Sequence, residues 1–510
     1  MWRVKPLDQI LATAEKKSLH RSLGAIQLTL LGIGAVIGTG IFVLTAEAAQ
    51  KAGPGMMVSF IIAGAVCAVA ALCYSELASM VPVAGSAYTY SYAVLGEIVA
   101  WLVGWALIME YALGASAVAV GWSGYITGLL HSFAGITIPA ALAAGPDGGG
   151  IFNLPAVIIT ALVTALLVVG TKESATANAV LVAIKVIALT AFVACTLPIM
   201  HLHNFHPFAP KGWGNPLGSG GTGVLGAAAS IFFAYVGFDA VSTAAEETKN
   251  PQRNVPIGLI GSLIICTIFY LLVAGGAVGA YGAQPVYGPH GETIAAGSRA
   301  LTERCAQLGA HLPLVCSREA LAHVLRQVGH PLIGNILGLA AGFALPSVIL
   351  LMMFGQTRIF FVMARDGLLP KVLSSVHPRF KTPHVVTMIT GVGVAIAAGL
   401  LPVGKLADYS NSGTLFAFGV VSLAVMILRF TAKDRHRPFK APLLFVVAPM
   451  SIVGCVVLFI SLPIEAKLLF PIWSAIGLAL YFSFGFWRSN VRRGVIDVED
   501  LDGSAPGGPF

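Results

Sequence analysis

Gly32-Ile-Gly-Ala-Val-Ile-Gly-Thr-Gly40 is the stretch on which the reading of this chain turns. From Ser22 to Ala46 no residue is charged, a run of 25 positions, which is enough for a helix to cross the hydrocarbon core of a bilayer. Yet Gly32, Gly34, Gly38 and Gly40 fall inside it. Glycine is the poorest helix former after proline, so four together make local unwinding cheap and leave backbone N–H and C=O groups without side-chain cover. At membrane depth such groups must be buried in protein or face a water-filled cavity. A half-helix whose N-terminus points into that cavity offers bare N–H groups and a partial positive charge, a seat for a carboxylate. The competing reading is a Gly34-x-x-x-Gly38 packing face between two intact helices.

The whole composition supports a membrane setting. Of 510 residues, 57% are hydrophobic and 10% charged, with a mean hydropathy of +0.85, whereas a soluble domain has about a quarter of its residues charged. This excludes an ordinary soluble enzyme and indicates an all-α polytopic membrane protein. The segment Met1 to Arg21 is mostly polar and carries Arg3, Lys5, Lys16, Lys17 and Arg21, so it reads as a cytoplasmic tail and not as a cleaved signal peptide. The net charge of +8 does not call for nucleic acid, because the basic residues sit in loops between apolar segments, where they orient the chain.

Uncharged segments bounded by proline, glycine and charge place about twelve spans. An even number returns both ends to one side. With the N-terminus inside, 21 of the 30 lysines and arginines fall inside and eight outside, and Lys185 alone lies within a span. That bias predicts cytoplasmic N- and C-termini. A second interrupted span reads Ile231-Phe-Phe-Ala-Tyr-Val-Gly-Phe-Asp239, with Gly237 and an acid in mid-membrane. Paired broken segments in corresponding positions of two halves point to a midplane transport site. Five spans follow from each break, so an odd count inverts the second unit. The expected organisation is a tail at 1–21, a first repeat at 22–200, a second at 201–430 with a long extracytoplasmic loop at 281–330, two added helices at 431–488 and a tail at 489–510.

Four motifs then carry a family resemblance: Gly32–Gly40, Glu110-Tyr-Ala-Leu-Gly-Ala, Phe232 to Glu247 followed by Asn250-Pro251, and Gly355 to Pro370. In that order they resemble the cationic amino acid transporter family of the amino acid, polyamine and organocation superfamily, over about Leu19 to Trp487. The resemblance implies a LeuT-type fold with two inverted five-helix repeats and two further helices.

An L-amino acid needs donors for its carboxylate and acceptors for its ammonium. Unwound backbone offers N–H groups at Gly38, Thr39 and Gly40, and by resemblance Val36 lies at the edge of the same seat. The second break offers carbonyls at Phe233, Ala234 and Val236. Phe233 is a candidate gate over the substrate, with ordinary packing as the alternative. Lys185 is a lysine in mid-bilayer, and such residues face a cavity or a partner. In sodium-coupled relatives of the fold the fifth, first and eighth spans enclose a sodium ion. The resemblance puts the Lys185 ammonium in that place, implying sodium independence and a proton as the coupling ion. Lys185 is then either the proton carrier or a fixed substitute for sodium. Glu110 counters Lys185, faces a cationic substrate, takes the proton, or is a structural carboxyl. Asp239 is a proton relay or fixes the unwound backbone. Glu246 and Glu247 read as inner-gate or structural acids.

Cys305 and Cys316 share the long loop, where an oxidising compartment permits a bridge. The other five cysteines read as small apolar fillers. His201, His203 and His206 are spaced loosely without an acidic or thiol ligand, so no metal is expected. No Asn-x-Ser/Thr sequon occurs, which fits a bacterial inner membrane. The expectation is proton-coupled, sodium-independent L-amino acid uptake across the plasma membrane, with the bilayer and the substrate as partners, no other cofactor and no enzymatic activity. An amino acid or polyamine exchanger and a non-transporting sensor on a carrier scaffold are the rivals. Which amino acids are carried is not written in these motifs.

Overall fold

The structure is a computed structural model that describes residues 4, 23–81, 86–170, 175–218, 220–244, 248–308 and 312–493. Most of both expected tails, Lys172, Glu246 and Glu247 lie outside the described residues. Eight helical stretches are long and apolar enough to cross a membrane, and four shorter helices are apolar. Among the described residues they make up twelve spans. Span 1 comprises Ala25–Val36, Thr39–Phe42 and Leu44–Ala52, and span 2 is Met56–Met80. Spans 3, 4 and 5 are Glu97–Ala134, Leu154–Val169 and Ala175–Thr196. Span 6 comprises Gly223–Ile231, the tight turn Phe232–Tyr235 and Ala240–Thr243. Spans 7 to 10 are Pro251–Tyr281, Pro331–Arg365, His384–Leu400 and Val403–Thr431. Spans 11 and 12 are Leu444–Ser461 and Ile464–Leu480, the latter running on to Arg488.

The neighbours of each span follow the pattern that inverted repeats require. If span n is exchanged with span n+5, the contact of 1 with 7 becomes 6 with 2, 5 with 8 becomes 10 with 3, and 5 with 1 becomes 10 with 6. Every one of these pairs is packed. Spans 2 with 7, 3 with 8, 4 with 9 and the two breaks with each other are the self-matching pairs, also packed. The fold is thus the LeuT type, with spans 11 and 12 laid against one side and presenting Phe445, Met450, Leu468 and Ile472 outward.

Two local features go beyond a simple count of spans. Span 7 begins at Pro251 because proline at the first helical position loses no hydrogen bond, and Pro256 is carried inside the helix. Between spans 2 and 3 a further helix, Ser86–Val94, buries Tyr88, Tyr90 and Tyr92. Its alternation of tyrosine with serine and threonine hid it among polar residues. The loop between spans 7 and 8 carries helices Arg299–Gln307 and Ala320–Gln327, and Cys305 is bonded to Cys316 there.

Candidate functional site

The two interruptions meet at the centre of the bundle. Span 1 ends its first helix at Val36, turns extended at Ile37 (ψ 93°) and restarts at Thr39. Span 6 tightens at Phe232–Tyr235, leaves the turn at Val236 (ψ 136°) and passes Gly237 with φ +112°. A Cβ on Gly40 would lie 2.2 Å from the Ala234 Cα, and one on Gly237 would lie 3.0 Å from the Ala35 carbonyl oxygen. Each break therefore presses its bare backbone against the other, and only glycine permits that approach. Val36, Gly38, Thr39, Gly40, Phe233, Ala234 and Val236 are all buried here.

Three other spans close the seat. Gly121 of span 3 lies against Thr39, with a notional Cβ 2.7 Å from its methyl group, and Gly114 brings the same span to the Phe233 ring. Val348 of span 8 faces Gly38. The Thr39 hydroxyl is buried and has no hydrogen-bond partner, and the first N–H groups of a restarted helix have none within it. Tyr270 of span 7, by contrast, places its hydroxyl 2.8 Å from the Val36 carbonyl oxygen and 2.7 Å from that of Ala234. Of the carbonyls expected to meet an ammonium, Ala234 is thus already engaged by the protein, and Phe233 accepts the Val236 N–H at 3.2 Å. Each keeps a second lone pair.

Lys185 is buried, and its ammonium donates to the Gly34 carbonyl at 2.7 Å. The last four carbonyls of a helix lack intrahelical partners and carry the negative end of its dipole. Because the break ends a helix at Val36, Gly34 is one of those four, and the interruption itself creates the acceptor that Lys185 uses. Spans 5 and 1 touch closely here, since a Cβ on Gly34 would meet Val182 and Asn178. Asp239, buried, accepts from the Tyr111 hydroxyl at 3.3 Å. Glu110 is fully buried, with Asp239 and Thr414 beside it. His201 and His203 stand exposed with ring centroids 5.8 Å apart, and among the described residues no three metal-ligating side chains gather.

Sequence reasoning missed Tyr270 and a charged cluster above the seat. The Lys51 ammonium donates to Asp408 at 2.8 Å and to Ser230, and Ser230 also donates to Asp408, tying spans 1, 6 and 10. On the opposite face Arg429 grips Glu76 through two bonds of 2.7 Å, and the Ala441 N–H donates to the same carboxylate. Lysine and aspartate at apparent span ends were the available signal, but only folding brings residues 357 positions apart together.

Comparison with known proteins gives this architecture its family. The amino acid permease family profile matches residues 23–482. The branched-chain amino acid permease BcaP of Bacillus subtilis is 42% identical over 95% of this chain and 97% of its own. The methylthioribose transporter of the same organism is 41% identical over 97% of this chain and 99% of its own. The vacuolar cationic amino acid transporter 4 of Arabidopsis thaliana is 37% identical over 82% of this chain and 64% of its own. With two broken helices packed backbone to backbone and homology along nearly its whole length, the chain belongs to the amino acid permease family, whose members are membrane carriers and not enzymes.

Proposed function

We propose that this carrier couples inward movement of L-amino acids to protons, without sodium, by alternating access across a bacterial inner membrane with both termini cytoplasmic. The observation that carries the proposal is the placing of Lys185: its ammonium holds the carbonyl end of the first half-helix one turn from the seat. A lysine there, whether it carries the proton or stays fixed, does what a bound cation would do. Glu110 and Asp239 are the other two candidate proton-handling groups. The substrate's α-amino and carboxylate groups are read by backbone at Gly38 to Gly40 and at Phe233 to Val236, with Thr39 as an added donor.

Neutral branched-chain side chains suit the surroundings best, because Val348, Met352 and Phe233 line the neighbourhood and a relative named for branched-chain amino acids shares 42% of residues. The 41% identity to a methylthioribose transporter supports a second substrate reading. Uptake of radiolabelled leucine into proteoliposomes tests both. Accumulation driven by an inward proton gradient in sodium-free buffer, competed by isoleucine and valine, is the expected result. Uptake that needs internal amino acid would replace symport with exchange, and competition by methylthioribose alone would replace the substrate.

A further inference from the structure

The half of span 7 that starts at Pro251 turns one face to the broken helices and another outward. On the first, Gly258 packs against Leu28 of span 1 and Val241 of span 6, and Ser262 packs against Gly32. On the second, Arg253, Ile257, Ile260 and Ile264 recur at helical spacing and form one wall of an open groove of about 670 Å³. The facing wall is Pro438 and Phe439, from the segment that joins spans 10 and 11. That wall is anchored. The Phe439 N–H donates to the Ser79 hydroxyl at 3.3 Å and the Ala441 N–H to the Glu76 carboxylate at 2.8 Å, which fixes the backbone on both sides of Lys440. The side chains of Arg253 and Lys440 are exposed, and neither has an ion-pair or hydrogen-bond partner among the described residues. At the same rim Pro256 has no N–H to give the Gln252 carbonyl four residues back.

We propose that this groove seats one anionic phospholipid from the leaflet at that end of the bundle, with an acyl chain along the span 7 isoleucines and its phosphate between Arg253 and Lys440. The two parts of the groove call for one molecule with both characters. A free phosphate would leave the isoleucines uncovered, and a neutral lipid would leave two cations unmatched. Basic pockets beside apolar helices at the membrane surface suit phosphate headgroups, and each cation adds a charge-assisted bond. Phosphatidylglycerol suits the rim further, because its glycerol hydroxyls can donate to the Gln252 carbonyl. Seated there, the lipid braces span 7 from behind while the front of the same helix holds the adjoining halves of the two broken spans.

Native mass spectrometry of the whole protein released from nanodiscs of mixed phosphatidylglycerol and phosphatidylcholine tests this. Wild type is expected to retain one phosphatidylglycerol per chain, favoured about tenfold over phosphatidylcholine, the scale of one charge-assisted bond. The double variant Arg253→Gln/Lys440→Gln should retain the two lipids equally. Ile257→Trp, which fills the groove and spares both cations, should lose phosphatidylglycerol as well. Lys371→Gln/Arg379→Gln, which removes two exposed cations from the segment between spans 8 and 9, should keep the wild-type preference. Adding phosphatidylglycerol should raise the thermal midpoint of wild type and leave that of Arg253→Gln/Lys440→Gln unchanged, and a cooperative transition in phosphatidylcholine alone reports that each variant is folded. Equal retention of the two lipids by wild type, an equal loss in Lys371→Gln/Arg379→Gln, or displacement of the lipid by inorganic phosphate overturns the site. No readout involves a transported substrate, so the reading of the central seat stands or falls separately.

Discussion

In span 1 the chain comes apart at Ile37 and Gly38, where Gly38 has φ −143° and ψ −148°. In span 6 it comes apart at Val236 and Gly237, where φ is +112°. The first of these glycines is extended and in principle replaceable, and a Cβ on it would meet Val348 at an ordinary 3.5 Å. The second stands in a region that L-residues occupy only with strain. The glycine that span 1 cannot lose is Gly40, two residues on, because the partner break lies against it. One interruption thus depends on close approach and the other on backbone conformation, although both read as glycine in mid-membrane.

That contrast sets an order of effects. Gly40→Ala should abolish uptake altogether, since its Cβ would fall 2.2 Å from a backbone atom that cannot retreat without dismantling the other break. Substantial uptake in proteoliposomes would show that the breaks do not pack as described. Lys185→Ala should remove proton-driven accumulation and leave an orphaned carbonyl at the end of the first half-helix. An unchanged response to the proton gradient would move the coupling to Glu110 or Asp239. Gly237→Ala should cost about 1–3 kcal/mol of backbone strain, seen as a lowered thermal midpoint and an uptake rate reduced roughly ten- to a hundredfold. Tyr270→Phe removes the hydroxyl that serves both breaks and should destabilise by about 1–3 kcal/mol, with a smaller loss of rate. Gly38→Ala keeps the N–H and meets no tight contact, so uptake should stay within about threefold of wild type. A collapse in that variant equal to Gly40→Ala would erase the distinction between the two kinds of glycine.

Both breaks, the inverted repeat and the intramembrane Lys185 were legible because each is a local violation: glycine where helices need side chains, or charge where lipid allows none. Partner choice was not. The acceptor of Lys185 is a main-chain carbonyl that exists only once the helix has ended, and no residue type announces it. Lys51 and Asp408 stand near the ends of apolar runs in the sequence, yet both are buried in one cluster. Tyr270 looks like any tyrosine in a long apolar helix, and its role depends on where two other helices stop.

The Tyr270 hydroxyl has one proton and two claimants, the carbonyls of Val36 and Ala234. Any swing of one half-helix that withdraws its carbonyl hands that proton wholly to the other, so the hinges share a single pin. Rearrangements joined in this way are reciprocal in free energy. Loss of that one hydroxyl should therefore loosen both breaks together and not one alone.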